Sequence, residues 1–294
     1  MRTGFIGLGS MGTPMARNLL RAGFAVSGFD INPQALVTLK MNGGNAASSA
    51  AEAAHDATLL VLMVVNAAQA ETVLFEAGAL AAMVPDGVVL LMATCPPGIV
   101  KALAARVRGS GRSFVDCPVS GGTKGAEDAT LTLMAAADHA TFDRVRPVLD
   151  ALGDKVFHVG TEAGQGAAVK TVNQLLCGVH LAAAAEGLAL AARIGVNPDV
   201  ILKILGVSSA ASWMLNDRGP RMVQSDPSVS SAVDIFVKDL GIVLDAGRES
   251  KAALPLAAIA HQLFLAASGR GEGAVDDSQV IRSYAALNGT TGFK

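Results

Sequence analysis

The sequence predicts an α/β protein: a doubly wound parallel sheet over residues 1–161, followed by an all-α domain over 162–294 that begins with one long helix. Three observations carry this. Short apolar runs alternate with helical stretches through the first half, as strands buried on both faces by flanking helices require. After Gly160 no convincing strand follows, only helical patterns. The length, 294 residues, allows about two domains.

The first strand, residues 3–6, runs straight into Gly7-Leu8-Gly9-Ser10-Met11-Gly12 and a helix through Ala22. Gly7 permits the tight turn, Gly9 lets the backbone approach a pyrophosphate, and Gly12 lets helix and strand pack closely. Free amides at the helix start then face the phosphates. Pro14 is acceptable in a first helical turn. A second strand, residues 25–29, ends in Asp30, whose carboxylate can accept hydrogen bonds from ribose hydroxyls and would repel a 2′-phosphate. Ile31 and Asn32 follow it, with no arginine. Strand, turn, helix, strand and acid in this order point to NAD rather than NADP.

Residues 36–41 read as helix, then 58–65 and 88–92 as buried strands. Strand ends of such a sheet lie along the cofactor crevice, which makes Val65, Asn66 and Thr94 candidate cofactor contacts. Thr94 could equally cap the helix that follows Pro96-Pro97. A strand at 113–116 leads into residues 117–126, too rich in glycine for any regular element. Strands at 130–136 and 155–159 flank a helix at 140–152.

The long helix is predicted over 162–194. Ala and Leu dominate it, and no proline interrupts it. At about 100° per residue, Lys170, Asn173, Gln174 and Cys177 share one face, with His180 at its edge. Such a polar stripe in an apolar helix costs free energy unless its groups have partners. Further helices are expected from Asn197-Pro198-Asp199 to about Val207, over 208–213 and 216–222, and over 233–250 and 255–268. Residues 289–294 read as a loose tail.

Composition excludes several classes. A net charge of −2 offers no basic field for nucleic acid. The mean hydropathy of +0.44 raises a membrane question. The run 59–65 is too short to span a bilayer, and 175–192 contains His180 and Glu186, so no membrane partner is expected. Met1 leads within a few residues into a strand, so no signal peptide is expected. Cys95, Cys117 and Cys177 follow no metal-ligand spacing, so no metal is expected, and an unpaired set fits a reducing cytoplasm. Wide apolar faces in the Ala-rich helical half suggest a homodimer or homotetramer.

Four separated motifs resemble the β-hydroxyacid dehydrogenase (3-hydroxyisobutyrate dehydrogenase-like) family. They are the glycine turn with Asp30; Asp116-Cys117-Pro118-Val119-Ser120-Gly121-Gly122; Gly164-x-Gly166-x3-Lys170-x2-Asn173; and Lys238-Asp239-Leu240. The resemblance implies a Rossmann domain binding NAD through Gly7, Leu8, Gly9, Ser10, Met11, Gly12 and Asp30, with oxidation of a small hydroxy acid. Ser120, Gly121 and Gly122 would hold the substrate carboxylate in a small anion nest. Lys170 would be the general base in oxidation and the acid in reduction, which a lysine does near neutrality only if desolvation or a nearby cation lowers its pKa. Lys238 would supply that cation on the nicotinamide side of the cofactor, and Asn173 would orient the substrate hydroxyl. His180 reads equally as a satisfied core histidine or a substrate contact. Cys177 and Trp213 read as packing residues.

Within the family, residues 172–181, 212–214 and 231–240 most resemble the branch acting on L-threonate, a four-carbon sugar acid. A histidine and a serine at the far end of the pocket would suit its extra hydroxyls. Oxidation of 3-hydroxyisobutyrate, or reduction of tartronate or succinic semialdehyde, is the alternative. An imine reductase lacks the catalytic lysine that this chain keeps. A non-catalytic cofactor-binding scaffold would have lost Lys170, Asn173, Lys238 and the Ser120-Gly121-Gly122 run.

Overall fold

The computed structural model describes residues 1–289, so most of the tail expected at 289–294 lies outside the described residues. Two compact units form, Met1–Lys170 and Thr171–Lys294.

The first unit is built on nine strands: β1 (Arg2–Ile6), β2 (Ala25–Phe29), β3 (Asn45–Ala46), β4 (Leu59–Leu62), β5 (Val88–Leu91), β6 (Ser113–Asp116), β7 (Val119–Ser120), β8 (Thr132–Ala136) and β9 (Lys155–Gly160). Their order is β3-β2-β1-β4-β5-β6-β8-β7, with β9 beside β8. From β3 to β6 every pairing is parallel. The central strands are apolar at every position because both faces are covered. Leu59, Val61, Val88 and Leu90 point into one core, and Leu60, Leu62, Val89 and Leu91 into the other. Each such leucine or valine contributes about 1.5–3 kcal/mol by leaving water.

Beyond β6 the sheet departs from the all-parallel expectation. β8 pairs antiparallel with both β6 and β7, and only β9 runs parallel to it. The chain between β7 and β8 holds one short helix, Gly122–Glu127, too short to carry it back across the sheet for a parallel return. That helix and β7 also correct the expectation that residues 117–126 hold no regular element. The glycines sit where the chain turns, at Gly121 (φ +126°) and Gly122 (φ +62°), while Val119 and Ser120 pair with Leu133 and Thr132.

The long helix is Gln165–Arg193. It starts three residues later than predicted because Gly164, at φ +93°, takes a left-handed turn. By length and composition it could cross a membrane, yet little more than a third of its most apolar window is buried within the fold. The second unit adds helices Pro198–Leu205, Trp213–Met222, Val233–Ser250, Pro255–Ala267 and Ile281–Leu287. Residues 208–213, expected as helix, serve mainly to cap the next one: Ser212 Oγ accepts from the Leu215 amide at 3.0 Å. Leu181, Leu188, Phe236, Leu240 and Phe264 form the core of this unit. A buried ion pair pins Arg218 Nε to Asp277 Oδ1 at 2.8 Å, tying Trp213–Met222 to the turn before the last helix.

Candidate active site

The glycine turn after β1 is set by space. Gly7 has φ +93°, and its amide donates to the Phe29 carbonyl at 3.1 Å, fastening the turn to β2. A Cβ on Gly12 would lie 1.8 Å from the Gly7 carbonyl oxygen, so helix Gly12–Arg21 approaches the strand only as glycine. Nothing stands within 4 Å of a Cβ built on Gly9, whose outer side is open. Met11 is the N-cap residue and gives no side-chain cap; the Thr13 amide donates to the Gly9 carbonyl at 3.0 Å, and an external anion would meet the helix start at the amides before it. This is the cradle that a pyrophosphate fits. Ser10 is exposed at its rim, while Leu8 is buried beneath it.

Asp30 is locked against that turn. Its Oδ2 accepts from the Leu8 amide at 2.6 Å and its Oδ1 from the Asn32 amide at 2.8 Å. The carboxylate is therefore fixed at the end of β2, with lone pairs left for ribose hydroxyls. Val65 is exposed just past β4. Its amide donates to Gln69 Oε1 at 2.9 Å, and Asn66 Oδ1 accepts from the Gln69 amide at 2.9 Å, so Asn66 caps the helix Ala67–Glu71. Thr94 is not the cap of helix Pro97–Gly109: Pro96 holds that position, and no side chain caps it.

Ser120, Gly121 and Gly122 lie where β7 gives way to the short helix, with two successive positive φ angles turning the backbone. Asn18, on the helix that follows the glycine turn, donates from Nδ2 to the Ala126 carbonyl at 2.7 Å, a buried bond that ties the two elements together.

Lys170 is only 6 % exposed, near the start of the long helix. The amides of Gly164 and Ala167 each donate to Asp116 Oδ2 at 2.9 Å, so the last residue of β6 caps that helix. Burial pushes the Asp116 carboxyl up to about 6, against the opposing pull of the amides of Ala167, Gly164 and Gly166. Burial, and the neighbouring Asp116, push the Cys117 thiol well up, which makes it an inert packing group.

In the helical unit Asn173 Nδ2 donates to Gln174 Oε1 at 2.9 Å and contacts Cys177 Sγ at 3.3 Å. Gln174 Nε2 donates to Asp239 Oδ2 at 2.5 Å, and Lys238 Nζ to Asp239 Oδ1 at 2.6 Å. Buried Asp239 thus joins Lys238 to the polar stripe of the long helix. Sequence reasoning gave no role to Asp239 or Asp116. Both stood inside recognised motifs, and that was their only signal. His180 is exposed. Trp213, expected to pack, is 55 % exposed, with the Arg218 guanidinium 5.8 Å from its ring centroid. A cavity of about 560 Å³ in this unit, lined by Arg193, Arg270, Glu272 and Arg282 among others, includes none of the expected site residues. Among the described residues no cluster of three or more His, Cys, Asp or Glu could hold a metal ion.

Comparison with known proteins matches residues 2–160 to the NAD binding domain of 6-phosphogluconate dehydrogenase. Residues 164–284 match the NAD-binding family model of NADP-dependent 3-hydroxyisobutyrate dehydrogenase. An L-threonate dehydrogenase of Cupriavidus necator is 45% identical over 96% of this chain and 95% of its own. An L-threonate dehydrogenase of Escherichia coli K12 is 41% identical over 97% and 95%. Among solved structures, one described as 3-hydroxyisobutyrate dehydrogenase from Salmonella typhimurium superposes with a TM-score of 0.91 at 43% identity, covering 96% of this chain and 99% of that one.

Proposed function

We propose, for a chain that belongs to the 3-hydroxyisobutyrate dehydrogenase-like family of NAD-binding hydroxyacid dehydrogenases, that it oxidises L-threonate with Lys170 as the proton-transferring group. The observation that carries the chemistry is the buried Lys170 amine, on a helix whose first turn is fastened to the strand leading to Ser120. A buried lysine is held at a defined place, because its amine needs partners there.

Bound NAD supplies the hydride acceptor. The chain's own residues do the rest. The Ser120 hydroxyl and the Gly121 and Gly122 amides hold the substrate carboxylate. Lys170 takes the hydroxyl proton in oxidation and returns it in reduction. Asn173, one helical turn along, orients that hydroxyl. Lys238 is held in place by Asp239. The alternative substrate is 3-hydroxyisobutyrate, the name carried by the superposed structure. His180 is exposed, so the preference for L-threonate rests on the relatives' identity rather than on that residue. NAD reduction measured with L-threonate, 3-hydroxyisobutyrate and a panel of related acids decides it. A kcat/KM higher for 3-hydroxyisobutyrate would overturn the substrate, and no turnover with any would restore the scaffold reading.

The same reading places the enzyme in the cytoplasm as a homo-oligomer. Val172, Leu176, Leu190, Ile194, Val200 and Ile204 each expose an apolar side chain on the helical unit, surface that a second copy could cover. A monomer mass by light scattering at micromolar concentration would refute that assembly.

For the cofactor, the locked Asp30 carboxylate favours NAD, although one matching family model is described as NADP-dependent. Wild type should use NAD at least about 100-fold better by kcat/KM, the cost of setting a phosphate dianion beside a fixed carboxylate. Asp30→Ser should narrow the ratio to within about tenfold. Equal kcat/KM for the two cofactors in wild type would mean that Asp30 does not select.

A further inference from the structure

Asp116 is 1 % exposed, and its Oδ1 is buried without a hydrogen-bond partner. It lies at the end of β6, in register with Leu91 on β5 and Ala136 on β8, which fixes it from both sides. One oxygen, Oδ2, accepts two amides three residues apart, from Gly164 and Ala167. Two donors on one acceptor fix both the advance and the rotation of a helical first turn, which a single bond would not do. The remaining approach is reserved for glycine: a Cβ on Gly166 would lie 2.5 Å from the Met134 carbonyl oxygen and 2.7 Å from that of Asp116. Gly166 and Lys170 are four residues apart, hence on the same helix face. The face pressed against the strand ends is therefore the face that presents Lys170 one turn later.

We infer that Asp116 is a positioning residue for Lys170, holding the helix that carries the amine in register with the strand that carries the Ser120–Gly122 nest. The inference rests on Lys170 as the proton-transferring group. Its cost in folding supports a role beyond capping, since an exposed serine or asparagine caps a helix without burying a charge. Asp116 is four residues before Ser120 and caps the helix three and six residues before Lys170, so one carboxylate sets the spacing between carboxylate holder and proton acceptor. A misplacement of about 1 Å remote from the chemistry costs on the order of 100-fold in rate.

The test is a double-mutant cycle of Asp116→Asn and Lys170→Ala, assayed for kcat, substrate KM and NAD dissociation constant with the best hydroxy acid of the panel. Asp116→Asn can keep one oxygen for both amides, but it removes the charge at the positive end of the helix and puts an amide donor where the buried, unpartnered Oδ1 stood. It should lower kcat by roughly 10–100-fold, change the NAD dissociation constant less than threefold, and add less than threefold in the Lys170→Ala background. An equal loss in both backgrounds would show that Asp116 merely supports the fold, and an unchanged kcat in the wild-type background would show it idle. Either outcome overturns the inference and leaves Lys170 standing. Near wild-type turnover of Lys170→Ala alone would instead remove the proton-transfer assignment and the inference with it. Should Asp116→Asn not fold, Gly166→Ala keeps the carboxylate and pushes the helix start away. It should show the same kcat loss confined to the Lys170 background, and full kcat would count against the inference.

Discussion

Replacing Lys170 with alanine should lower kcat by roughly 10²–10⁴-fold, the range that one positioned acid–base group supplies. The NAD dissociation constant should hardly change, because the glycine turn proposed to receive the pyrophosphate lies far from Lys170 in the chain. Lys170→Met, which fills the buried space without an amine, should be as slow as Lys170→Ala and thereby exclude a cavity as the cause. Lys170→Arg should fare little better although it keeps the charge, since a guanidinium does not give up its proton in the working pH range. In the oxidative direction, log kcat/KM for wild type should rise with pH and level off, because an ammonium must shed its proton before accepting one. Steady-state kinetics across pH check all four statements. A Lys170→Ala enzyme with near wild-type turnover and the same pH profile would send the search for the base to His180.

Gly12→Ala should raise the NAD dissociation constant at least about 100-fold and lower the melting temperature as well. Its Cβ would meet the Gly7 carbonyl oxygen at 1.8 Å, backbone against backbone, where no side chain can move aside. Relief requires moving the helix off the strand, at about 3 kcal/mol or more. Gly9→Ala offers the contrast. With nothing within 4 Å of its Cβ it should leave the melting temperature unchanged and still weaken NAD binding, since that methyl occupies the side the phosphates approach. Calorimetry and thermal melts on the two variants separate strand packing from phosphate approach. Gly9→Ala with undiminished affinity would mean the phosphates do not pass there.

Much of this was legible because it is local. The glycine turn, the acid after β2 and the helix Val233–Ser250 follow from spacing, turn chemistry and period, and the structure places them accordingly. What escaped the sequence depends on residues far apart in the chain. Nothing around Thr132 announces that β8 runs antiparallel to β6, because its direction is decided by the brevity of Gly122–Glu127. The glycines at 121 and 122 masked two short regular elements by marking the turn between them. Helix Ile281–Leu287 and the 3₁₀ turn Asp277–Val280 were missed because a buried ion pair to Arg218, 59 residues earlier, holds their start. Asp116 and Asp239 read as ordinary acids until their partners, 48 and 65 residues away, come into view.

At the carboxylate buried at the end of β6, acid stability and grip on the helix start pull in opposite directions. An acid whose folded pKa, about 6, lies above its unfolded value of 3.8 binds more protons in the native state between those values. The stability it contributes is therefore fully present below the unfolded value and is lost as pH rises through about 6. Asp277, pushed up to about 6 by burial despite Arg218 beside it, has the same sign. At neutral pH the fold keeps Asp116 ionised at a cost on the order of 3 kcal/mol. At that position mild acid makes a tougher molecule and a looser grip on the helix start. As far as this carboxylate is concerned, a storage condition chosen for stability favours its protonated form, while one chosen for turnover favours the ionised one.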